Sequence, residues 1–575
     1  MKSAIVLITL LASSISSNHS LAKDGSAQLK QLADQYTEVT LAYSQPYAYF
    51  EDIELERHQL FLNNSPESYA TTAETEDEIL DALNRFDISK LKDNKARVFY
   101  AKFRESLETN VELRVCKAVL WRVSHMFGPH SLLDFLVNVQ PLETKQNRDD
   151  ALERWQDAAI YYQQEISNLT LGLKQGYSVP KRVVNRLIEQ LDGLTEIAID
   201  DHPFLKLATR ANNPSFEKTF KALLEEKLIP AIKRYSSFLA TTYLKEARIE
   251  LGIHALPKGK ECYMAMYRSY TSLKRTPQQV FDLGLKTVIG NKAEVIQLGK
   301  SIYAVNSFSE AVNKASNDPA QKFSSPELMH HFFESVVEKS KGKMKDYFHQ
   351  VPSIEMIVEA IPEYQRGTGR SAHYISGTSE RKAKFGYDPT DYKKENFASG
   401  EKVSVHEGYP GHHMQVALVQ EQEKFHQIEG VFSNSAFSEG WARYAEALSE
   451  EASIYQYDST KILRRAWPAR GMVADTAMHM LGWSNDEVSD FLRESGAAFT
   501  RDTDTMLDRM AAMPAQLTAY DSGALEIFAL RTLMKKELGT QFNIKDFHEI
   551  ILRNGNVPMS VLNEQVKMFI IKKKE

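Results

Sequence analysis

The chain has 575 residues, 43% hydrophobic and 25% charged, with a formal net charge of −6. This is the composition of an ordinary globular protein with ample apolar content for a core. No basic block is interleaved with aromatic residues, which argues against a nucleic-acid partner, and the acidic excess is too dispersed to name a substrate.

Met1-Lys2 forms a short positive start, Ala4 to Ile15 an apolar run, and Ser20-Leu21-Ala22 ends in small residues suited to a signal peptidase. Residues 1–22 are therefore expected to be a signal peptide cleaved after Ala22. The run is too short to span ~30 Å of hydrocarbon comfortably. No Cys follows it, which disfavours a lipoprotein, and no other membrane span is expected. The predicted address is the periplasm, if the cell has two membranes. Cys116 and Cys262 lie in apolar helical patterns, and either a disulfide or two buried free thiols fits them.

From Ser26 to about Glu250 apolar residues recur at helical spacing, as in Ile79, Leu80, Leu83, Phe86 and in Phe99, Phe103, Leu107. A stripe through Phe216, Phe220, Leu223, Ile232, Tyr235 and Leu239 crosses Pro230, which predicts a kink. Thr276-Pro277 predicts a Pro-led helix start. Between 350 and 405 the pattern changes. Ile354, Met356 and Val358 alternate, and Ala372 to Ile375 is a second short extended candidate near Gly367, Gly369 and Gly377. No repeat of fixed period and no low-complexity linker stands out. The expectation is one continuous, mainly α body over 23–575 with a deep cleft. Residues 23–350 form its N-terminal helical part, and 351–575 its metal-site part with a small β element.

The chemistry concentrates at Val405-His406-Glu407-Gly408-Tyr409-Pro410-Gly411-His412-His413 and at Ser438-Glu439-Gly440-Trp441-Ala442-Arg443-Tyr444. Neutral imidazoles and a carboxylate hold zinc, and a neighbouring Glu is placed to act as base on water. His412 follows His406 by six positions and His413 by seven. On an unbroken helix the first step turns the ring to the wrong side, and the second moves it ~10 Å along the axis. Pro410 removes a backbone donor and Gly411 tolerates unusual dihedrals, so a widened or looped turn is predicted between the histidines. Matching Gly411-His412 to the end of a His-Glu-x-Gly-His motif makes His406 and His412 the ligands, with His413 as the alternative. Glu439 is the third protein ligand, water takes the fourth position, and Glu407 is the general base.

Asp475 and His479 are four apart on one helix face, where the carboxylate could orient the imidazole to stabilise an oxyanion. A structural pair is the competing reading. Tyr520 is a second oxyanion donor candidate, against a core tyrosine with a satisfied hydroxyl. Arg370, Arg470 and Arg509 are candidates for binding a peptide carboxylate, and His413 for an outer role or substrate contact.

These segments resemble the bacterial family catalogued as domain of unknown function 885. More distantly, the chain is similar to the helical zinc peptidases of the carboxypeptidase Taq, thimet oligopeptidase and angiotensin-converting-enzyme group. The resemblance also rests on Tyr177-Ser178-Val179-Pro180, Leu256-Pro257-Lys258-Gly259 with Tyr263, Arg470 to Trp483, and Pro514-Ala515-Gln516 with Tyr520 and Gly523. Ala515 stands where many members have Gly, and Phe281 where many have His. The resemblance implies a helical, zinc-dependent hydrolase of peptides, in which a strand near the metal helix pairs with substrate. The alternatives are a hydrolase of another amide, such as a cell-wall bond, and a non-catalytic, metal-stabilised periplasmic binding protein.

Overall fold

A computed structural model describes residues 25–361, 366, 372–377, 381–494 and 503–575. The expected signal peptide 1–22, and Gly367, Gly369 and Arg370, lie outside the described residues. The architecture is mainly α, with one small three-stranded sheet.

Helices α1 (Gly25–Tyr43), α2 (Pro66–Asn84) and α3 (Asn94–Leu113) pack their apolar stripes together, burying Leu29, Ile79, Leu83, Phe99, Phe103 and Leu107. Helix α4 (Lys145–Lys174) adds Trp155 and Tyr162 to the largest core cluster, beside Phe220, Ile232 and Tyr235. The chain stays helical through Pro230. The wide π-turn at Leu224–Leu228 opens the backbone just before it, where the proline ring and its missing N–H would break a regular helix. Cys116, just after α3, is joined by a disulfide to Cys262 on α5 (Gly259–Thr271), so the two-thiol alternative is corrected. Their Cα atoms lie 4.7 Å apart, inside the range a disulfide spans. Thr276 and Gln279 form a reciprocal capping box at the start of α6 (Pro277–Tyr303).

After α7 (Pro326–Tyr347), the strands β1 (Met356–Ala360), β2 (His373–Ile375) and β3 (Ala383–Tyr387) form a sheet in the order β1-β3-β2. β3 runs parallel to β1 and antiparallel to β2. The two extended stretches legible in the sequence are thus not partners. The central strand carries Lys384 and Gly386, which mask its pattern, and a Cβ at Gly386 would come within 2.8 Å of the His373 ring.

The metal-site part follows as α8 (Phe397–Glu407), α9 (His412–Gln420), α10 (Ser435–Glu451), α11 (Asp458–Ala466), α12 (Arg470–Thr476), α13 (Thr503–Ala512) and α14 (Gln516–Leu538). Both large cores cross position 350: Trp155 and Phe220 share one with Met472 and Met510, while Phe333 and Met344 share the other with Trp441 and Tyr444.

A short internal repeat emerges here that the one-dimensional pattern concealed. Pro514 lies 46 residues after Pro468, and Pro-Ala-Arg/Gln with a later Asp-Thr/Ser recurs at both places. Ala469 and Ala515 both take a left-handed backbone (φ 66° and 70°) at the starts of α12 and α14. The caps are exchanged. Asp475 of α12 accepts the N–H of Ala515 at 2.9 Å, and the Asp521 carboxylate of α14 accepts the N–H of Ala469. Ala515 therefore makes the turn a glycine would make, at the cost of Cβ crowding. Ala469→Gly and Ala515→Gly are each expected to stabilise the protein by about 1 kcal/mol. A raised urea midpoint with unchanged slope is the readout, and a lowered midpoint would contradict the strain argument.

Candidate metal centre

Asn396 caps α8 through a box with Ser399 and ties it to the carbonyls of Ala315 and Ser316 at 2.9 Å. Buried Glu401 accepts from Gln456, Tyr457 and Thr460, which fastens α8 to the start of α11. The helix then ends at Glu407, and a four-residue loop, 408–411, leads into α9. The predicted distortion is thus a full break into two helices. The N–H of Gly411 reaches back to the Val405 carbonyl at 3.0 Å, and a Cβ at Gly411 would sit 1.9 Å from the His406 carbonyl oxygen. Only glycine permits this fold-back. Trp441 of α10 holds the loop by donating its indole N–H to the Pro410 carbonyl at 2.8 Å.

Helix α10 brings Glu439 to this corner. It packs backbone to backbone on α14, since a Cβ at Gly523 would meet the Ala436 carbonyl oxygen at 1.7 Å. The result places one ligand atom each from His406, His412 and Glu439 within 4.8 Å of one another. Glu439 Oε2 lies 3.5 Å from His406 Nε2 and 3.6 Å from His412 Nε2. These separations are too long for good hydrogen bonds but near the ~3.3 Å edge of a tetrahedron built on ~2.0–2.1 Å metal bonds. Glu439 Oε2 is buried with no close hydrogen-bond partner, so it could take a cation between the two rings.

The surrounding groups fix the imidazole state. His406 Nδ1 lies 2.9 Å from Glu446 Oε1, so this nitrogen carries a proton, and Nε2 faces Glu439, where it would give its lone pair to an ion on losing its own proton. Burial disfavours charge on His406, but Glu439 and Glu446 outweigh it and push the ring up to about 10. Burial likewise opposes ionisation of Glu439, and the two histidines overcome it to hold the carboxyl far below its usual range. The corner favours positive charge, as a proton or as a metal ion.

Glu446 was not among the sequence candidates. The signal was present, since it follows Glu439 by seven residues and so shares its helix face. Arg443 Nη1 holds Glu446 Oε1 at 2.8 Å, and Lys402, one turn before His406, has its amine lowered by burial, with Glu446 acting against this. Glu446→Gln is expected to weaken metal binding by about 10–100-fold. Competition against a chelator measures it, and unchanged affinity would remove Glu446 from the site.

Glu407 is buried beside the trio. Burial raises its pKa, as does Glu439, while His406, His412 and a backbone hydrogen bond from Tyr374 of β2 pull it down, and the net direction is up. The edge strand β2 thus faces the corner. His413 points away: its Nε2 meets the Ile354 carbonyl at 3.0 Å, and its Nδ1 meets the Tyr374 hydroxyl at 3.1 Å. It is a strut between α9 and the sheet.

The expected Asp475–His479 pair is not formed. His479 sits in a π-turn, its Nδ1 accepting from the Ile253 N–H at 2.9 Å and its Nε2 meeting the Met510 carbonyl at 3.1 Å. Asp475 is engaged by Tyr263 and Ala515, and burial pushes it up to about 7. Both are structural, because backbone partners met them first. Arg470 is corrected likewise: its guanidinium bonds the carbonyls of Ala466 and Phe491 at 3.0 and 2.8 Å. Tyr520 and Arg509 lie within electrostatic range of Glu439. Arg443 and Arg509 lie over the Tyr520 ring at 5.6 and 5.9 Å, and Tyr520 senses the Glu439 charge. A separate cavity of about 1110 Å³, lined by Tyr36, Tyr43, Tyr69, Arg114 and Arg268, excludes the trio.

No functionally curated protein matches the sequence. Among solved structures, the chain is similar to one described as "the putative lipoprotein from Colwellia psychrerythraea". The TM-score is 0.85 at 21% identity, covering 96% of this chain and 100% of that one. It is also similar to "a putative lipoprotein of unknown function from Shewanella oneidensis", with a TM-score of 0.73 at 16% identity, covering 93% of this chain and 99% of that one. These likenesses are of fold. The family model described as "Bacterial protein of unknown function (DUF885)" matches residues 54–566, and the chain belongs to that family.

Proposed function

We propose that this protein is a zinc-dependent hydrolase of peptide bonds, with His406, His412 and Glu439 as metal ligands and Glu407 as general base. The observation that carries the reading is a three-ligand corner with a buried carboxylate one residue from a ligand. A purely structural zinc site is normally closed by four protein ligands and has no use for such a base, which argues against the non-catalytic alternative.

A divalent ion held there supplies Lewis acidity at the reacting carbonyl. Glu407, lifted by burial, takes the proton of the attacking water and returns it to the leaving amine. Tyr520 accepts a hydrogen bond from Arg509 Nη2 at 3.1 Å, which leaves its own proton free for the oxyanion. β2 is an edge strand whose Tyr374 N–H donates to Glu407, which supports a reading in which an extended peptide lies along it. Peptide is thus favoured over a cell-wall amide.

We further infer export and a periplasmic address. The amino-terminal sequence pattern, the Cys116–Cys262 disulfide and the lipoprotein descriptions of the similar structures support it. Among the described residues no helix is long and apolar enough to cross a membrane.

The test is hydrolysis of a mixed short-peptide library by zinc-loaded protein, with and without a chelator. Cleavage that the chelator stops supports the reading. No cleavage, or cleavage indifferent to the chelator, ends it.

A further inference from the structure

Five well-packed arginines of this fold fall into two groups, and Arg509 differs from both. Arg443 and Arg531 have carboxylate partners, Glu446 and Glu451. Arg154 and Arg248 rely on neutral acceptors but are well supplied, and Arg470 adds a long contact to Glu494 at 3.9 Å to its carbonyl bonds. Arg154 engages Leu60, Tyr49, Gln140 and Gln45 through all three nitrogens, Arg248 uses all three on backbone carbonyls, and Arg470 uses two.

Arg509 fits neither group. Its hydrogen bonds to described residues all leave from Nη2, to Gln516 Oε1 at 2.8 Å and Tyr520 Oη at 3.1 Å. Its Nε is buried with no partner, and among the described residues no carboxylate lies within ion-pair distance. Asp475 acts on its charge, with Oδ1 held by Tyr263 and Ala515 and Oδ2 buried without a partner, but it lies beyond ion-pair distance of the guanidinium. Arg443 and Arg531 also have a buried Nε without a partner but each pairs with a carboxylate, whereas the partly exposed Arg509 does not, which leaves its charge open to an outside anion.

Its position says where that anion lies. Arg509 and Arg443 both lie over the Tyr520 ring, and Arg443 bonds Glu446, the carboxylate that holds His406 Nδ1. The fork of a guanidinium matches a carboxylate in shape as well as charge.

We propose that Arg509 binds a carboxylate of the substrate, making the preferred substrates short peptides with a free carboxylate on the leaving side of the cleaved bond. This rests on the hydrolase reading. The carboxylate is either the peptide's own carboxyl terminus or an acidic side chain close to it, and one set of peptides separates these sources.

Three matched peptides are compared on the zinc-loaded wild type: a free acid, its carboxyl-terminal amide, and an amide with Glu as its last residue. The free acid is expected to show a kcat/KM about 100-fold above the plain amide. Recovery in the Glu-ended amide assigns the side chain as the source, and no recovery assigns the terminus. In Arg509→Met the acid-to-amide ratio collapses toward one, and in Arg509→Lys it falls part of the way, because the charge stays and the fork is lost. Equal cleavage of acid and amide by the wild type overturns the proposal and leaves the peptidase reading standing. If the wild type cleaves nothing, the peptidase reading falls and calorimetric binding to Glu407→Gln protein decides this one. Tighter binding of the acid than of the amide supports it, and equal affinities overturn it.

Discussion

Glu407→Gln protein is expected to keep its zinc and to hydrolyse peptides about 10²–10⁴-fold more slowly than the wild type. Glutamine preserves the shape of the side chain and can still accept the Tyr374 N–H, so the corner and the edge strand stay in place. What it loses is the capacity to take a proton. The buried position that raises the Glu407 pKa also makes the replacement mild for folding, since a neutral amide avoids the desolvation that the carboxylate bears. Zinc per chain by atomic emission and kcat on one fixed peptide give the two numbers needed. A variant with full zinc and a rate near wild type would be incompatible with Glu407 as the base.

The second large effect separates two adjacent histidines. His412→Ala removes one of the three ligand atoms gathered at the corner and is expected to abolish stoichiometric zinc, a loss beyond the about 10–100-fold that an outer partner costs. His413→Ala is expected to leave zinc bound while lowering stability by about 1–3 kcal/mol. The Ile354 carbonyl and the Tyr374 hydroxyl, both partly buried, lose the partner that the fully buried His413 supplies. Metal analysis on both variants, with a denaturant titration of the second, distinguishes the roles. Zinc lost from His413→Ala and kept by His412→Ala would mean the ligand is the other ring.

Much of the candidate site was legible because its signals are local. His406 and Glu407 are adjacent, Pro410-Gly411 marks a break, and the apolar and aromatic run around Glu439 marks a helix. Glu446 was legible in principle from its seven-residue step, but one carboxylate among 76 acidic residues carries no flag until His406 is seen beside it. The third strand was hidden for a related reason. Lys384 and Gly386 break its alternation, and their tolerance depends on β1, β2 and the His373 ring packed against them.

The sequence by itself determined the family, the mainly α class and the places where helices begin, because stripes, caps and proline signals act within a few residues. Tertiary structure decided the partners. Asp475 and His479 sit four apart, as a pair should, yet each is claimed by groups more than 30 residues away: Ala515 for Asp475, Ile253 and Met510 for His479. A buried donor or acceptor must be satisfied, but any correctly placed carbonyl, N–H or carboxylate will do, so spacing along one helix cannot name its partner. Only the packing of α10 on α14, and the fold-back at Gly411, put Glu439 between His406 and His412, left Arg509 with donors to spare and turned His413 toward the sheet.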